Sequence, residues 1–132
     1  MDNSGYTSIV VDGEKINLRF GIPAVRMFLE KIATNEVLIS NDTINEVCIA
    51  TLIYCGYINN CMITDETPDK KMGYFLEFVE NSWIDEAVKK QLVNVSNCYA
   101  ASKYTKKVQE TTQKAIDDIK KKKVAKQKRT GT

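Results

Sequence analysis

The chain contains no histidine. Histidine is the commonest general base and a frequent metal ligand, and it completes most serine and cysteine catalytic triads. Most hydrolase mechanisms are therefore excluded. The adjacent carboxylates of Asp85 and Glu86 fit a helix start better than a catalytic pair, because acidic side chains stabilise the first turn of a helix. We predict that the protein is not an enzyme.

Glycine and cysteine are also missing from the patterns that bind cofactors. The six glycines stand singly, so there is no glycine-rich phosphate loop. The four cysteines, Cys48, Cys55, Cys61 and Cys98, are spaced too widely for a zinc site, whose ligands normally pair about two to four residues apart. We therefore predict no cofactor and no metal, and we interpret the cysteines as reduced thiols.

Long apolar runs are absent too. No segment approaches the roughly 20 uninterrupted apolar residues of a membrane helix. The first five residues lack the basic and apolar regions of a signal peptide. We expect no membrane association and a cytoplasmic protein.

Charge is distributed unevenly along the chain. Residues 1–102 hold 8 Lys and Arg against 14 Asp and Glu, whereas residues 103–132 hold 11 against 3. An acidic body therefore carries a basic tail, a pattern typical of a tail that is solvated, disordered or attracted to an acidic partner. We predict a hairpin-plus-helical domain over residues 1–102 and a basic tail, helical or disordered, over residues 103–132.

The predicted fold is α+β and mainly α, with a short N-terminal β-hairpin followed by about four helices. Asp12-Gly13 is a turn dipeptide between two stretches with alternating apolar residues, which indicates a hairpin. Pro23 suits the first turn of a helix, and either Asn41 or Asp42 suits the cap of the next. The predicted helices run from about 22 to 33, from 43 to 54 with an end at Gly56, from 70 to 81, and from near Trp83, after a cap at Ser82, to Ser102 or beyond.

The second predicted helix is apolar on most sides, which indicates burial in a core or contact with a partner. Tyrosine, tryptophan and methionine are enriched at protein interfaces. We therefore predict that Tyr54, Tyr57 and Met62 bind a partner, with Tyr57 and Met62 exposed. The lysines Lys120, Lys121, Lys122 and Lys123 form a second candidate site, since clustered lysines bind phosphate groups without sequence preference.

Two segments resemble tail assembly chaperones of tailed bacteriophages. Residues 11–30, VDGEKINLRFGIPAVRMFLE, resemble the short hairpin, basic-aromatic-glycine step and helix with which these proteins begin. Residues 49–57, IATLIYCGY, resemble their apolar helix ending in Tyr-x-Gly. The resemblance covers residues 11 to about 100.

This resemblance implies a non-enzymatic protein of the host cytoplasm that shields the tape-measure protein until the tail tube forms around it. The expected partner is then the tape-measure protein, with self-association left open. The alternative is a structural virion component or nucleoprotein that binds nucleic acid through its lysine-rich tail. A small regulatory protein with an unknown target is a third hypothesis.

Overall fold

The predicted hairpin, followed by helices, is confirmed in the computed structural model, which describes residues 3–34 and 45–130, with side chains up to residue 122. The described residues form two antiparallel strands, five α-helices and one 3-10 turn. The strands are β1 (Tyr6–Val11) and β2 (Glu14–Arg19); the helices are α1 (Ile22–Ala33), α2 (Glu46–Thr64), α3 (Met72–Glu80), α4 (Glu86–Ala101) and α5 (Lys103–Thr130); the 3-10 turn is Asn81–Trp83. The fold class is α+β, mainly α.

The hairpin turns at Asp12 and Gly13, as predicted. Their φ angles are 51° and 80°, and two consecutive positive φ angles are the mark of the type I′ turn, whose twist matches that of the strands. Val11 pairs with Glu14 directly across the turn. This register turns one face of the hairpin toward the helices, and the buried side chains on it are Ile9, Val11, Ile16 and Leu18.

The edge of β1 that faces away from β2 is held by a side chain of α4. The N–H of Val10 donates to Oε1 of Gln91 at 2.7 Å, and Nε2 of Gln91 donates to the carbonyl of Val10 at 3.3 Å. One side-chain amide thus engages both backbone groups of Val10 and ties the hairpin to α4.

Helix α1 has the predicted bounds, but its cap comes from another helix. Gly21 precedes α1 and has no side chain to cap it. Instead, Oδ1 of Asn59 on α2 accepts the N–H groups of Gly21 at 3.0 Å and Ala24 at 3.2 Å. Asn59 is buried, so the start of α1 is fixed from inside the core.

The predicted end of the second helix is wrong. We expected a helix over 43–54 that ends at Gly56, whereas α2 continues through Gly56 to Thr64. Gly56 is buried, and a Cβ there would lie 2.8 Å from Cε1 of Phe20. The glycine therefore makes room for the Phe20 ring, and the helix ends where Asp65 adopts a left-handed conformation with φ 56°.

The start of α2 is capped by Asn45, whose Oδ1 accepts the N–H groups of Val47 at 2.9 Å and Cys48 at 3.3 Å. The predicted caps, Asn41 and Asp42, lie outside the described residues.

The predicted start of the fourth helix is also wrong. A helix start near Trp83 with a cap at Ser82 was expected, but α4 begins at Glu86 and is capped by Asp85, whose Oδ1 accepts the N–H of Ala87 at 2.9 Å. The 3-10 turn, Asn81–Trp83, follows α3 without a gap. The cap at Asp85 separates this turn from α4.

Helix α4 does not continue past Ser102. The hydroxyl of Ser102 donates to the carbonyl of Phe20 at 2.8 Å and accepts the N–H of Tyr104 at 3.2 Å, so Ser102 separates α4 from α5. Thr105 is buried as well, which shows that the first turns of α5 pack on the body. The division of the chain into a domain and a tail at residue 102 stays a prediction.

Helix α2 lies at the centre of the body, where it contacts β2, α1, α3 and α4. Among the described residues it is also the one helix long and apolar enough to cross a membrane, although 56% of that stretch is buried inside the body. The stretch is not an uninterrupted apolar run, since Thr51, Asn59 and Asn60 lie within it, and the absence of membrane association stays a prediction. Burial accounts for the composition of α2, because a helix that is apolar nearly all round belongs in a core.

Candidate partner-binding groove

Two large apolar side chains between α3 and α4 are exposed to solvent. Trp83 is 77% exposed and Ile84 is 86% exposed. The backbone sets this position, since the N–H groups of Ile84 and Asp85 both donate to the carbonyl of Asn81, at 3.1 Å and 2.9 Å. This tight turn, followed at once by the cap of α4, leaves Trp83 and Ile84 outside the core.

A groove of about 710 Å³ runs beside Trp83, between the start of α2, the end of α3 and the outer face of α4. We call it the Trp83 groove. Ile49, Val79 and Leu92 are buried and form its floor, and Val93 on its wall is half exposed. The groove therefore offers an apolar surface bounded by three helices.

A second, smaller hollow lies on the side of Ile84, between the hairpin turn and α4. Its volume is about 420 Å³, and Val10, Phe78 and Val88 contribute apolar surface to it. We call it the hairpin hollow. Ile84 lines this hollow and Trp83 lines the groove, so the two exposed side chains form a ridge between the two concave surfaces.

Carboxylates outnumber cations along these surfaces. Glu46 and Glu86 line the Trp83 groove together with Lys89, and Asp12 and Asp85 line the hairpin hollow. Four carboxylates thus stand against one ammonium group. An apolar partner that carries positive charge is favoured there, because complementary charge steers association and suppresses partners of the wrong sign.

Trp83 is held in place despite its exposure. Its indole Nε1–H donates to Oε1 of Glu46 at 3.0 Å, which connects the 3-10 turn to the first turn of α2. A ring fixed in this way loses less conformational freedom when a partner covers it, and lower ordering cost favours binding.

The structure separates the predicted partner-binding residues from this groove. Tyr57 is only 6% exposed, so our expectation that it is exposed is wrong. Its hydroxyl donates to Oδ1 of Asp69 at 2.9 Å and accepts the N–H groups of Asp69 at 2.9 Å and Lys70 at 3.2 Å. These bonds fix the loop between α2 and α3, and burial raises the pKa of the Tyr57 phenol.

Tyr54 and Met62 are placed differently. Tyr54 is half-buried, with its ring centroid 6.3 Å from that of Phe75. Met62 is 55% exposed, as expected, near the end of α2. Neither lines the Trp83 groove, and a partner-binding role for them stays a prediction.

The lysine tail is helical in the structure. Lys120, Lys121 and Lys122 are exposed on α5. Lys123 belongs to the same helix, but its side chain lies outside the described residues. Exposure leaves these ammonium groups accessible to a negatively charged partner, and such a role stays a prediction.

Trp83, Ile84 and Val93 are the functional candidates that sequence reasoning missed. The signal was present, since Trp83 and Ile84 form an apolar pair within the polar stretch from Asn81 to Glu86. The predicted helix start near Trp83 does not by itself show whether the Trp83 ring is buried or exposed. The structure shows that the chain breaks between α3 and α4 and that Trp83 is exposed at this break.

Burial makes three of the cysteine thiols harder to ionise. None of the four cysteines forms a disulfide bond. Burial raises the pKa of the Cys55 thiol to about 12 and also raises the pKa values of Cys48 and Cys61. A thiol with a raised pKa is a weak nucleophile at neutral pH. Within the described part of the chain, no cluster of three or more His, Cys, Asp or Glu side chains is arranged to hold a metal.

Comparison with protein families, with curated proteins and with solved structures finds no match to this chain. The groove and the residues around it therefore carry the functional argument.

Proposed function

We propose that this protein is a non-enzymatic binding protein that holds an apolar, basic helical segment of another protein in the Trp83 groove. The exposure of Trp83 and Ile84 beside an apolar groove carries the proposal. Large exposed apolar patches mark interaction sites in soluble proteins. Tryptophan in particular is over-represented among the residues that dominate binding energy.

A helical partner fits the shape of the site. The groove is bounded by α2, α3 and α4, and grooves between helices commonly receive an amphipathic helix through side chains spaced three and four residues apart. The floor residues Ile49, Val79 and Leu92 would contact the apolar stripe of such a helix. Glu46 and Glu86 at the rim would face its basic residues.

We further propose that the partner is a tape-measure protein and that the chain acts as a phage tail assembly chaperone in the host cytoplasm. The resemblance of residues 11–30 and 49–57 to that family supports this proposal. The groove supplies the kind of surface such a role requires, because a long helical protein must have its apolar stripes covered before it is packed inside a tube.

The proposal is tested by co-expression with a candidate tape-measure protein, followed by affinity capture and measurement of the amount of candidate that stays soluble. We expect Trp83→Ala to weaken capture by about tenfold or more, because truncating a hot-spot tryptophan commonly costs about 2 kcal/mol or more. Trp83 is 77% exposed, so the variant should fold normally.

Ile63→Ala is the matched control, since Ile63 is also an exposed apolar residue but lies outside the groove. It should leave capture unchanged. If the candidate partner stays insoluble with the wild-type chain, the chaperone proposal is wrong. Equal losses in both variants would place the binding surface elsewhere.

Nucleic-acid binding through α5 is the second candidate function. The observation in its favour is the excess of 11 Lys and Arg over 3 Asp and Glu in residues 103–132, with Lys120, Lys121 and Lys122 exposed. Phosphate contacts weaken steeply as salt rises. Capture that disappears after nuclease treatment or in high salt, and is insensitive to Trp83→Ala, would favour this function over the chaperone.

A further inference from the structure

The outer part of α5 is exposed on every side within one copy of the protein. Its described side chains from residue 109 to residue 122 are all exposed. Two of them are large and apolar, Ile116 at 42% and Ile119 at 56% exposed. Since these two are three residues apart, they lie on one face of the helix together with Ala115.

Such a helix gains little stability by itself. Isolated helices are marginal in water, and like charges three or four residues apart destabilise them. Lys120 and Lys123 have this spacing, whereas Asp117 and Lys121 are opposite charges four residues apart, and Nε2 of Gln113 donates to Oδ1 of Asp117 at 3.0 Å. Local pairs of this kind each stabilise an exposed helix only slightly. A surface that is both apolar and acidic would stabilise it.

We propose that the outer part of α5 lies in the Trp83 groove of a second copy of this chain. Ile116 and Ile119 supply the apolar stripe that Trp83 and the groove floor can cover. The flanking lysines of α5 face Glu46 and Glu86 at the groove rim. Charge favours this pairing, because residues 1–102 are acidic overall and residues 103–132 are basic.

The groove that receives α5 belongs to a different copy. Helix α5 is unbroken from Lys103 to Thr130, a length of about 40 Å at 1.5 Å per residue, so it cannot fold back onto the groove of its own body. The contact joins two different surfaces, and such heterologous contacts produce rings or open chains. This inference rests on the proposed function, because both use the Trp83 groove. Another protein must therefore displace α5 to bind there.

The test is sedimentation velocity on the purified, nuclease-treated full chain across a concentration series. We expect the wild-type mass to rise with protein concentration and to fall as salt is added. Trp83→Ala alone, and Ile116→Gln with Ile119→Gln, should each raise the dissociation constant of self-association about tenfold or more. Ile22→Gln with Ile63→Gln is the control, because these two isoleucines are 39% and 55% exposed, much like Ile116 and Ile119, but lie outside the groove and outside α5; it should leave association unchanged.

Mixing the two defective variants separates this arrangement from a symmetric dimer in which each surface meets the same surface of the other copy. The Trp83→Ala chain keeps an intact α5, and the Ile116→Gln, Ile119→Gln chain keeps an intact groove. An equimolar mixture should therefore form a heterodimer that grows no further, although each variant alone remains monomeric.

A wild-type chain that stays monomeric at every concentration would overturn the inference, as would association that vanishes on nuclease treatment or a mixture that stays monomeric. No other protein is present in this experiment. Its failure would therefore leave the proposed capture of a tape-measure protein standing, and failure of that capture would leave self-association standing.

Discussion

The side-chain oxygen of Asn59 accepts two N–H groups at the start of a different helix, those of Gly21 and Ala24. Backbone N–H groups in the first turn of a helix have no partner within the helix, and burying them unpaired is costly. The glycine at the N-cap cannot supply the missing acceptor. Stability of α1 thus depends on one buried atom of α2.

Asn59→Ala should lower the free energy of unfolding by about 2 to 3 kcal/mol, because two buried N–H groups lose their acceptor and a small cavity remains. Urea denaturation followed by circular dichroism measures the change. Asn60→Ala is the matched control, since Asn60 is the next residue and is only half-buried. A loss of equal size in both variants would mean that the hydrogen bonds of Asn59 do not matter.

Two glycines in helices offer a contrast at the scale of the element. At Gly56 in α2, an added Cβ would lie 2.8 Å from Cε1 and 3.1 Å from Cζ of the buried Phe20 ring. At Gly73 in α3, nothing lies within 4 Å of the added atom. The same substitution therefore meets a tightly packed ring in one helix and open space in the other.

Gly56→Ala should lower the free energy of unfolding by about 1 to 3 kcal/mol, since overpacking outweighs the better helix propensity of alanine. Gly73→Ala should raise it by about 0.5 kcal/mol, because the propensity gain is then unopposed. Thermal unfolding of both variants should give shifts of opposite sign. Two shifts in the same direction would contradict the packing of Phe20 on Gly56.

These elements also show which features can be predicted from sequence. The hairpin and α1 depend on neighbouring residues, the Asp12-Gly13 turn and Pro23, and both were predicted correctly. The role of Gly56 depends on Phe20, which is distant in the sequence, so a glycine that accommodates a ring was mistaken for a helix end. Tyr57 was misplaced for the same reason, because its hydroxyl partners lie beyond the end of its own helix.

The candidate groove could not be predicted, because it is formed by three helices and a turn whose contacts are all tertiary. The sequence predicts Trp83 only as the start of the fourth helix. Its exposure follows from the cap at Asp85 and the 3-10 turn before it, and neither is evident from apolar periodicity.

At the scale of the whole molecule, two buried groups link folding to pH. Burial raises the pKa values of the Cys55 thiol and the Tyr99 phenol to about 12, from ordinary values of 9.0 and 10.0. Above pH 9 the unfolded chain loses these protons while the native protein keeps them. Stability is therefore fully present below pH 9 and is lost as the pH rises toward 12.

We expect the free energy of unfolding to fall by up to about 1.4 kcal/mol per pH unit for each such group between its ordinary and its raised pKa. Urea denaturation at pH 8 and at pH 10 measures this slope, and Cys55→Ala should make it shallower. Val95→Ala is the control, because it truncates another fully buried side chain without removing a titratable group. If both variants keep the wild-type slope, ionisation of Cys55 is not coupled to unfolding.

The amide of Gln91 has a further consequence for how copies of this protein meet. The outer edge of a strand is a template on which another strand can add, and chains that stack in this way grow into fibrils. At Val10 both backbone groups that would start such growth are already bonded to Gln91. The described hairpin is thus closed to strand addition at that point, which leaves contacts between copies to the helical surfaces.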